Sequence, residues 1–179
     1  MSDIDDAPFA KYAIGQSVAR SEDPRLLRGD GHYSDDFSLP GQAYGYVFRS
    51  PFAHGVVTSL DVEDARAVPG VLAVLTSVEM AAANIGPLPN TQPHKSRDGT
   101  PMIKPERPVL ATDKVRYRGQ AVAMIVAEST AAAKDAAELI EFDVEVLPAE
   151  TDAEDAMRDG AAQLHDDAPG NVALDWEFG

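Results

Sequence analysis

The segment AVAMIVA, Ala121 to Ala127, sets seven apolar residues in an unbroken row. A run of that length, bounded by turn chemistry, predicts a central strand covered on both faces. Ser129 or Thr130 then caps a helix in which Ala133, Ala136, Ala137 and Ile140 form one apolar face, while Lys134, Asp135, Glu138 and Glu141 point outward. Alanines on the inner face let that helix sit close to a sheet. The chain returns in Phe142 to Leu147, where apolar and acidic residues alternate as in a half-buried or edge strand, and Pro148 stops it. A buried strand, a helix laid on it and a returning strand place the chain in the α+β class.

The upstream half supplies the remaining strands. Gln42 to Arg49 (QAYGYVFR) reads as a strand broken by Ser50-Pro51, and Gly55 to Leu60 as a second. Asp61 caps a short helix (VEDARAV) that Pro69-Gly70 ends, before a strand from Val71 to Leu75. Thr76 and Glu79 have the spacing of a capping box, so a helix runs into Ala81 to Ala83, with Asn84 and Gly86 to end it. Six prolines between Gly86 and Pro108 exclude regular structure and predict a solvated surface arm. Lys114 to Tyr117 reads as a strand, and Arg118-Gly119 as a turn before the apolar run. A last helix is predicted from Asp152 to Met157. The tail beyond it carries Trp176 and Phe178 with no core of its own.

With 179 residues, 44% of them hydrophobic, the chain suits one domain with extended tails. A net charge of −15 argues against nucleic acid and anionic membranes, because phosphate binding rests on Lys and Arg releasing counterions. The start, MSDIDDAPFAKY, has neither a basic region nor an apolar run, and no stretch is long enough to span a membrane, so a cytoplasmic protein is expected. Cysteine is absent, which removes disulfides, thiolate nucleophiles and cysteine-held iron-sulfur clusters from these residues.

Arg28 to Gly41 (RGDGHYSDDFSLPG) crowds Asp30, His32, Asp35 and Asp36 into one polar stretch that resembles a metal loop. An EF-hand begun at Asp30 fails, because His32, Asp35 and Gly41 stand where an oxygen ligand, a glycine and a glutamate belong. One histidine among aspartates makes no zinc set either. Arg28-Gly29-Asp30 spells a cell-adhesion tripeptide, of a kind that recurs by chance. Gly29 and Gly31 can take positive φ and the aspartates can cap their own turn, so a turn and docking segment is expected.

Catalytic motifs are mostly missing. Gly29 and Gly31 begin a dinucleotide fingerprint that Ser34 breaks, and there is no phosphate loop, zinc-protease motif or nucleophile elbow. Ser50 and His54, in the loop Arg49-Ser-Pro-Phe-Ala-His54, allow a nucleophile and its base without an evident orienting acid. Packing or partner contact is the expected use of that loop. Glu141, Asp143 and Glu145 share one strand face, more in keeping with solvent than with an acid/base pair.

Taken in order, the motifs resemble a known family. They are GxSxxRxEDPRLLRGxGxYxDD (Gly15 to Asp36), PG (Pro40-Gly41), FRSPxAH (Phe48 to His54), PGVxAVxT (Pro69 to Thr76), ERPxLA (Glu106 to Ala111) and VRYxGxxVA (Val115 to Ala123). LPAETD (Leu147 to Asp152) and LHxxxPGN (Leu164 to Asn171) continue the match. The pattern is similar to the amino-terminal part of molybdenum hydroxylase large subunits, the xanthine dehydrogenase and aldehyde oxidase family, in its aerobic carbon monoxide dehydrogenase form. The resemblance implies an α/β-hammerhead: a mixed sheet with packed helices and extended amino- and carboxy-terminal segments. It also implies a parent oxidoreductase with a molybdenum-pterin cofactor in later domains, and iron-sulfur clusters and FAD on partner subunits. Gln120 stands where relatives commonly have glutamate, and is expected to be an exposed turn residue.

The expected division is a docking segment over 1–40, a hammerhead over 41–150, and a short helix with a linker toward molybdenum domains over 151–179. No catalytic, cofactor-binding or metal residue is expected in the chain, which would be inactive alone. Two alternatives remain at this point: a naturally short interaction subunit of a split molybdenum enzyme, and a self-contained hydrolase using Ser50 and His54.

Overall fold

The computed structural model describes residues 20–177. The chain divides into two compact units, Met1–Pro40 and Gly41–Gly179. In the first, helix α1 (Asp23–Leu27) starts on Pro24, whose fixed φ suits a first turn, and a 3-10 turn follows at Ser34–Asp36.

The second unit holds strands β1 (Tyr44–Arg49), β2 (Gly55–Asp61), β3 (Val71–Leu75), β4 (Lys114–Val115), β5 (Ala121–Ala127) and β6 (Glu141–Val146). Its helices are α2 (Glu63–Arg66), α3 (Ser77–Ala82) and α4 (Thr130–Glu138). The strands form two three-stranded sheets, ordered β1-β5-β3 and β4-β2-β6. All four pairings are antiparallel. Where one mixed sheet was expected there are thus two antiparallel ones. The cause is a switch of sheets at Gly119 (φ +88), which separates β4 from β5, so that the two strands never pair with each other.

The apolar run takes the central place its composition demands. β5 pairs with β1 on one side and β3 on the other, and Val122, Ala123, Ile125 and Ala127 are buried. Helix α4 brings Ala133, Ala136 and Ala137 onto Ala123, Ile125 and Ala127 in one cluster that also holds Val62, Ala65 and Val74. Val122 joins a second cluster with Ala111 and Val115. Phe48, Leu60 and Phe142 pack against both. Phe142 meets Phe48 edge-on with ring centres 5.9 Å apart and Phe52 at 6.1 Å, arrangements that aromatic quadrupoles favour.

The helix starts are built by the residues predicted to build them. Ser129 accepts the N–H of Ala132 at 3.1 Å, and Asp61 accepts that of Glu63 at 2.9 Å. At α3 the Thr76 hydroxyl accepts the Val78 N–H at 3.2 Å, while Glu79 accepts the Thr76 N–H at 2.7 Å and its O–H at 2.6 Å. The helix predicted over Asp152 to Met157 shrinks to a 3-10 turn at Asp155–Met157. Asp152 already accepts the N–H groups of Glu154 and Asp155, at 2.8 and 3.2 Å, and this local bonding competes with a longer helix.

The proline-rich arm lacks helix or strand, as predicted, but it is tied down. Ile103 donates to the Ala173 C=O at 2.9 Å, Arg97 to the Asp175 C=O at 2.8 Å, and the Arg97 guanidinium pairs with Asp175 at 2.8 Å and Glu177 at 3.4 Å. Arm and tail therefore support each other. Trp176 remains 63% exposed, and Phe178 lies outside the described residues.

Candidate functional site

The polar loop folds back on its own groups. Asp36 accepts the Tyr33 N–H at 2.7 Å, and Asp30 pairs with Arg28 at 3.2 Å while its backbone C=O accepts from Arg25 at 2.9 Å. Gly29 (φ +77) and Gly41 (φ +75) make the bends that a side chain would resist. Leu27, Tyr33, Phe37 and Leu39 stand exposed in this segment. Among the described residues no three His, Cys, Asp or Glu side chains gather as a metal-binding group.

Ser50 and His54 are both buried, at 2% and 3% exposure, and each is committed elsewhere. The Ser50 hydroxyl donates to the Phe52 C=O and accepts the Phe52 N–H, both at 3.0 Å, closing the turn that Pro51 begins. His54 donates from Nδ1 to the Pro148 C=O at 2.6 Å. Because a carbonyl only accepts, that bond fixes the tautomer and leaves Nε2 an unprotonated acceptor, which is buried without a partner. No hydrogen bond joins Ser50 to His54, so the nucleophile and base reading loses its geometry. Glu141, Asp143 and Glu145 lie along β6, an edge strand, opposite Asp61, Ser59 and Val56. Charges along such an edge discourage further strand pairing.

Gln120 overturns its expectation. It is 5% exposed, and it links three segments. Its side-chain oxygen accepts the Arg116 N–H at 2.7 Å, and its backbone C=O accepts the Ser50 N–H at 2.9 Å. Ser50 in turn accepts the Gly119 N–H at 2.8 Å, and Arg49 donates to the Gly119 C=O at 2.9 Å. The FRSP loop and the VRYxGQ turn thus hold each other, which neither motif reveals alone.

Sequence reasoning also missed a groove of about 300 Å³ beside this turn, with Leu88, Pro105, Arg107, Arg116, Tyr117 and Gln120 on its walls. Arg116 is held flat there by the Leu164 C=O, 2.9 Å from Nε, and by the Lys114 C=O, 3.4 Å from Nη1. His165 lines the same groove, and burial, with the nearby Arg116 charge second, keeps its pKa below the ordinary histidine value. Leu164 lies 48 positions from Arg116, so no local signal could have announced the arrangement.

A family model described as aldehyde oxidase and xanthine dehydrogenase, a/b hammerhead domain, matches residues 28–148. The nicotine 6-hydroxylase large subunit of Paenarthrobacter nicotinovorans is 35% identical over 167 residues, 93% of this chain and 20% of that one. Among solved structures, quinoline 2-oxidoreductase from Pseudomonas putida 86 superimposes with a TM-score of 0.73 at 39% identity, over 87% of this chain and 19% of that one. The Cu,Mo-CO dehydrogenase, in its carbon monoxide reduced state, does so with a TM-score of 0.68 at 37% identity, over 83% and 17%. The chain spans about a fifth of the length of the curated relatives it matches. The two sheets, the alanine-faced helix between strands and the matched residues agree on one conclusion: this chain belongs to the aldehyde oxidase and xanthine dehydrogenase a/b hammerhead domain family.

Proposed function

We propose that the chain is the scaffolding amino-terminal domain of a molybdenum-dependent oxidoreductase large subunit and has no catalytic activity by itself. The observation that carries this reading is the length relation. Nearly all of this chain matches, yet it accounts for only 20% of the nicotine 6-hydroxylase large subunit and 17% of the Cu,Mo-CO dehydrogenase chain. The side chains found here support the same division of labour. Ser50, His54 and Gln120 are spent on holding turns, and the described donor groups do not fit a molybdenum-pterin group, so no chemical step is assigned to them.

In this reading residues 1–40 dock onto neighbouring parts of the enzyme, 41–150 form the hammerhead, and 151–179 lead toward the molybdenum domains. Iron-sulfur clusters and FAD belong to partner subunits, since the chain has no cysteine to ligate a cluster. None of the described helices is long and apolar enough to cross a membrane, and a cytoplasmic enzyme is the setting we assign. The test is to purify the 179-residue chain, measure its molybdenum, and assay it on carbon monoxide, an aldehyde and an N-heterocycle with a dye acceptor. The expected result is a folded protein with neither metal nor turnover. Molybdenum-dependent oxidation by this chain alone would refute the proposal.

A further inference from the structure

The groove beside Gln120 has the chemistry of a carboxylate receptor. Although the chain carries 30 acidic residues against 15 basic ones, Arg116 and Arg107 form no ion pair among the described residues, and Glu106, on the same wall, pairs with neither. Two backbone carbonyls already fix the Arg116 plane and leave Nη2 without a partner. A guanidinium held in this way loses little freedom when it binds an anion. Gln120 adds a second donor. Its oxygen is taken by the Arg116 N–H, its Nε2 has no protein partner, and the residue lines the groove while 95% of its surface is covered. Exposed Leu88 and Tyr117, with Pro105 between the donors, give the rim an apolar surface suited to a peptide rather than to a bare ion. Further along, the cleft turns acidic at Asp113, Asp166 and Asp167, and Asp166 is partly offset by Lys114 at 3.8 Å. That end repels a second negative charge and so sets the direction in which a segment can lie.

We infer that this groove receives an aspartate or glutamate side chain from the polypeptide of the same large subunit outside these 179 residues, clamped by Arg116 and Gln120. The source of the carboxylate rests on the function proposed above, and the relatives, about five times as long as this chain, supply ample polypeptide for it. The receptor chemistry does not depend on that function.

Two measurements test the inference. In the first, the 15N-labelled chain is titrated with acetyl-Ala-Glu-Ala-amide, with inorganic phosphate as competitor probe. Saturable shifts at the Arg116 Nε–H and the Gln120 side-chain amide are expected. Arg116→Lys removes the planar fork, and Gln120→Glu keeps the acceptor for the Arg116 N–H while deleting the donor; each should weaken peptide binding about tenfold or more with the remaining spectrum unchanged. No saturable shift, phosphate bound more tightly at the same residues, or full affinity in both variants overturns the receptor. In the second, a photo-crosslinking residue replaces Tyr117 in the native complex. A crosslink to an acidic segment of the large subunit is expected, and crosslinks only to a second copy of this chain overturn the assigned occupant. Failure of the titration leaves the family assignment and the proposed function intact, because neither rests on the groove.

Discussion

Gln120 and Arg116 are joined by a 2.7 Å bond from the Arg116 backbone N–H to the Gln120 side-chain oxygen, inside a turn where Gln120 is almost wholly buried. The N–H has no other acceptor, so Gln120→Ala leaves a buried donor unpaired. A loss of about 1–3 kcal/mol of stability is expected, read as a lower urea midpoint with an unchanged slope. Gln120→Glu, which still accepts the bond, should lose less than the alanine variant.

Gly55 opens β2 where it pairs with β6, and a Cβ there would stand 2.3 Å from a Val144 methyl and 2.6 Å from the Glu145 backbone oxygen. A side-chain methyl can move, but a carbonyl within a strand pairing cannot do so cheaply. Gly55→Ala should therefore destabilise by about 1–3 kcal/mol through overpacking. Gly86→Ala, with nothing within 4 Å of the new methyl, should leave the melting temperature nearly unchanged. Thermal melts of the two variants give the comparison directly.

Glu79 carries a pH signature. Hydrogen bonds from Thr76, with Arg66 contributing last, hold its carboxyl pKa at about 2 against an ordinary 4.5. A folded pKa below the unfolded one means that the unfolded chain takes up the proton first. The stabilisation is thus complete above about 4.5 and is lost as pH falls from there toward about 2. Glu79→Gln should flatten the acid limb of a stability profile in that window. The effect is expected to be small, because the side chain is 33% exposed and solvent screens it.

Ser50 and His54 should behave as structural residues. A fluorophosphonate probe is expected to leave Ser50 unlabelled, since both faces of its hydroxyl are occupied by Phe52. His54→Leu should lower stability by about 1–3 kcal/mol, because it removes the donor to a buried Pro148 carbonyl. Labelling at Ser50 that disappears in His54→Leu would restore the hydrolase reading.

Much of the fold was legible because its signals are local. The run from Ala121 to Ala127 announced the central strand, the alanine face from Ala133 announced the helix over it, and Thr76 with Glu79 spelled their capping box within four residues. What escaped depends on contacts between distant segments. Ser50 reaches Gln120, His54 reaches Pro148, and Arg116 reaches Leu164, none of which leaves a periodic trace in the sequence. The division into two sheets was hidden for a related reason: a turn at Gly119 reads alike whether the next strand pairs back or joins a different sheet. The groove was invisible until the arm, the β4 turn and the tail were set side by side.

The most direct test of the account is to tag this chain at its native locus, isolate what it belongs to under mild conditions, and measure both mass and molybdenum content. The account predicts a tagged species several times larger than 19.1 kDa that contains molybdenum and loses it when the hammerhead is unfolded away from the rest. A free 19.1 kDa monomer with no molybdenum-bearing companion would contradict it.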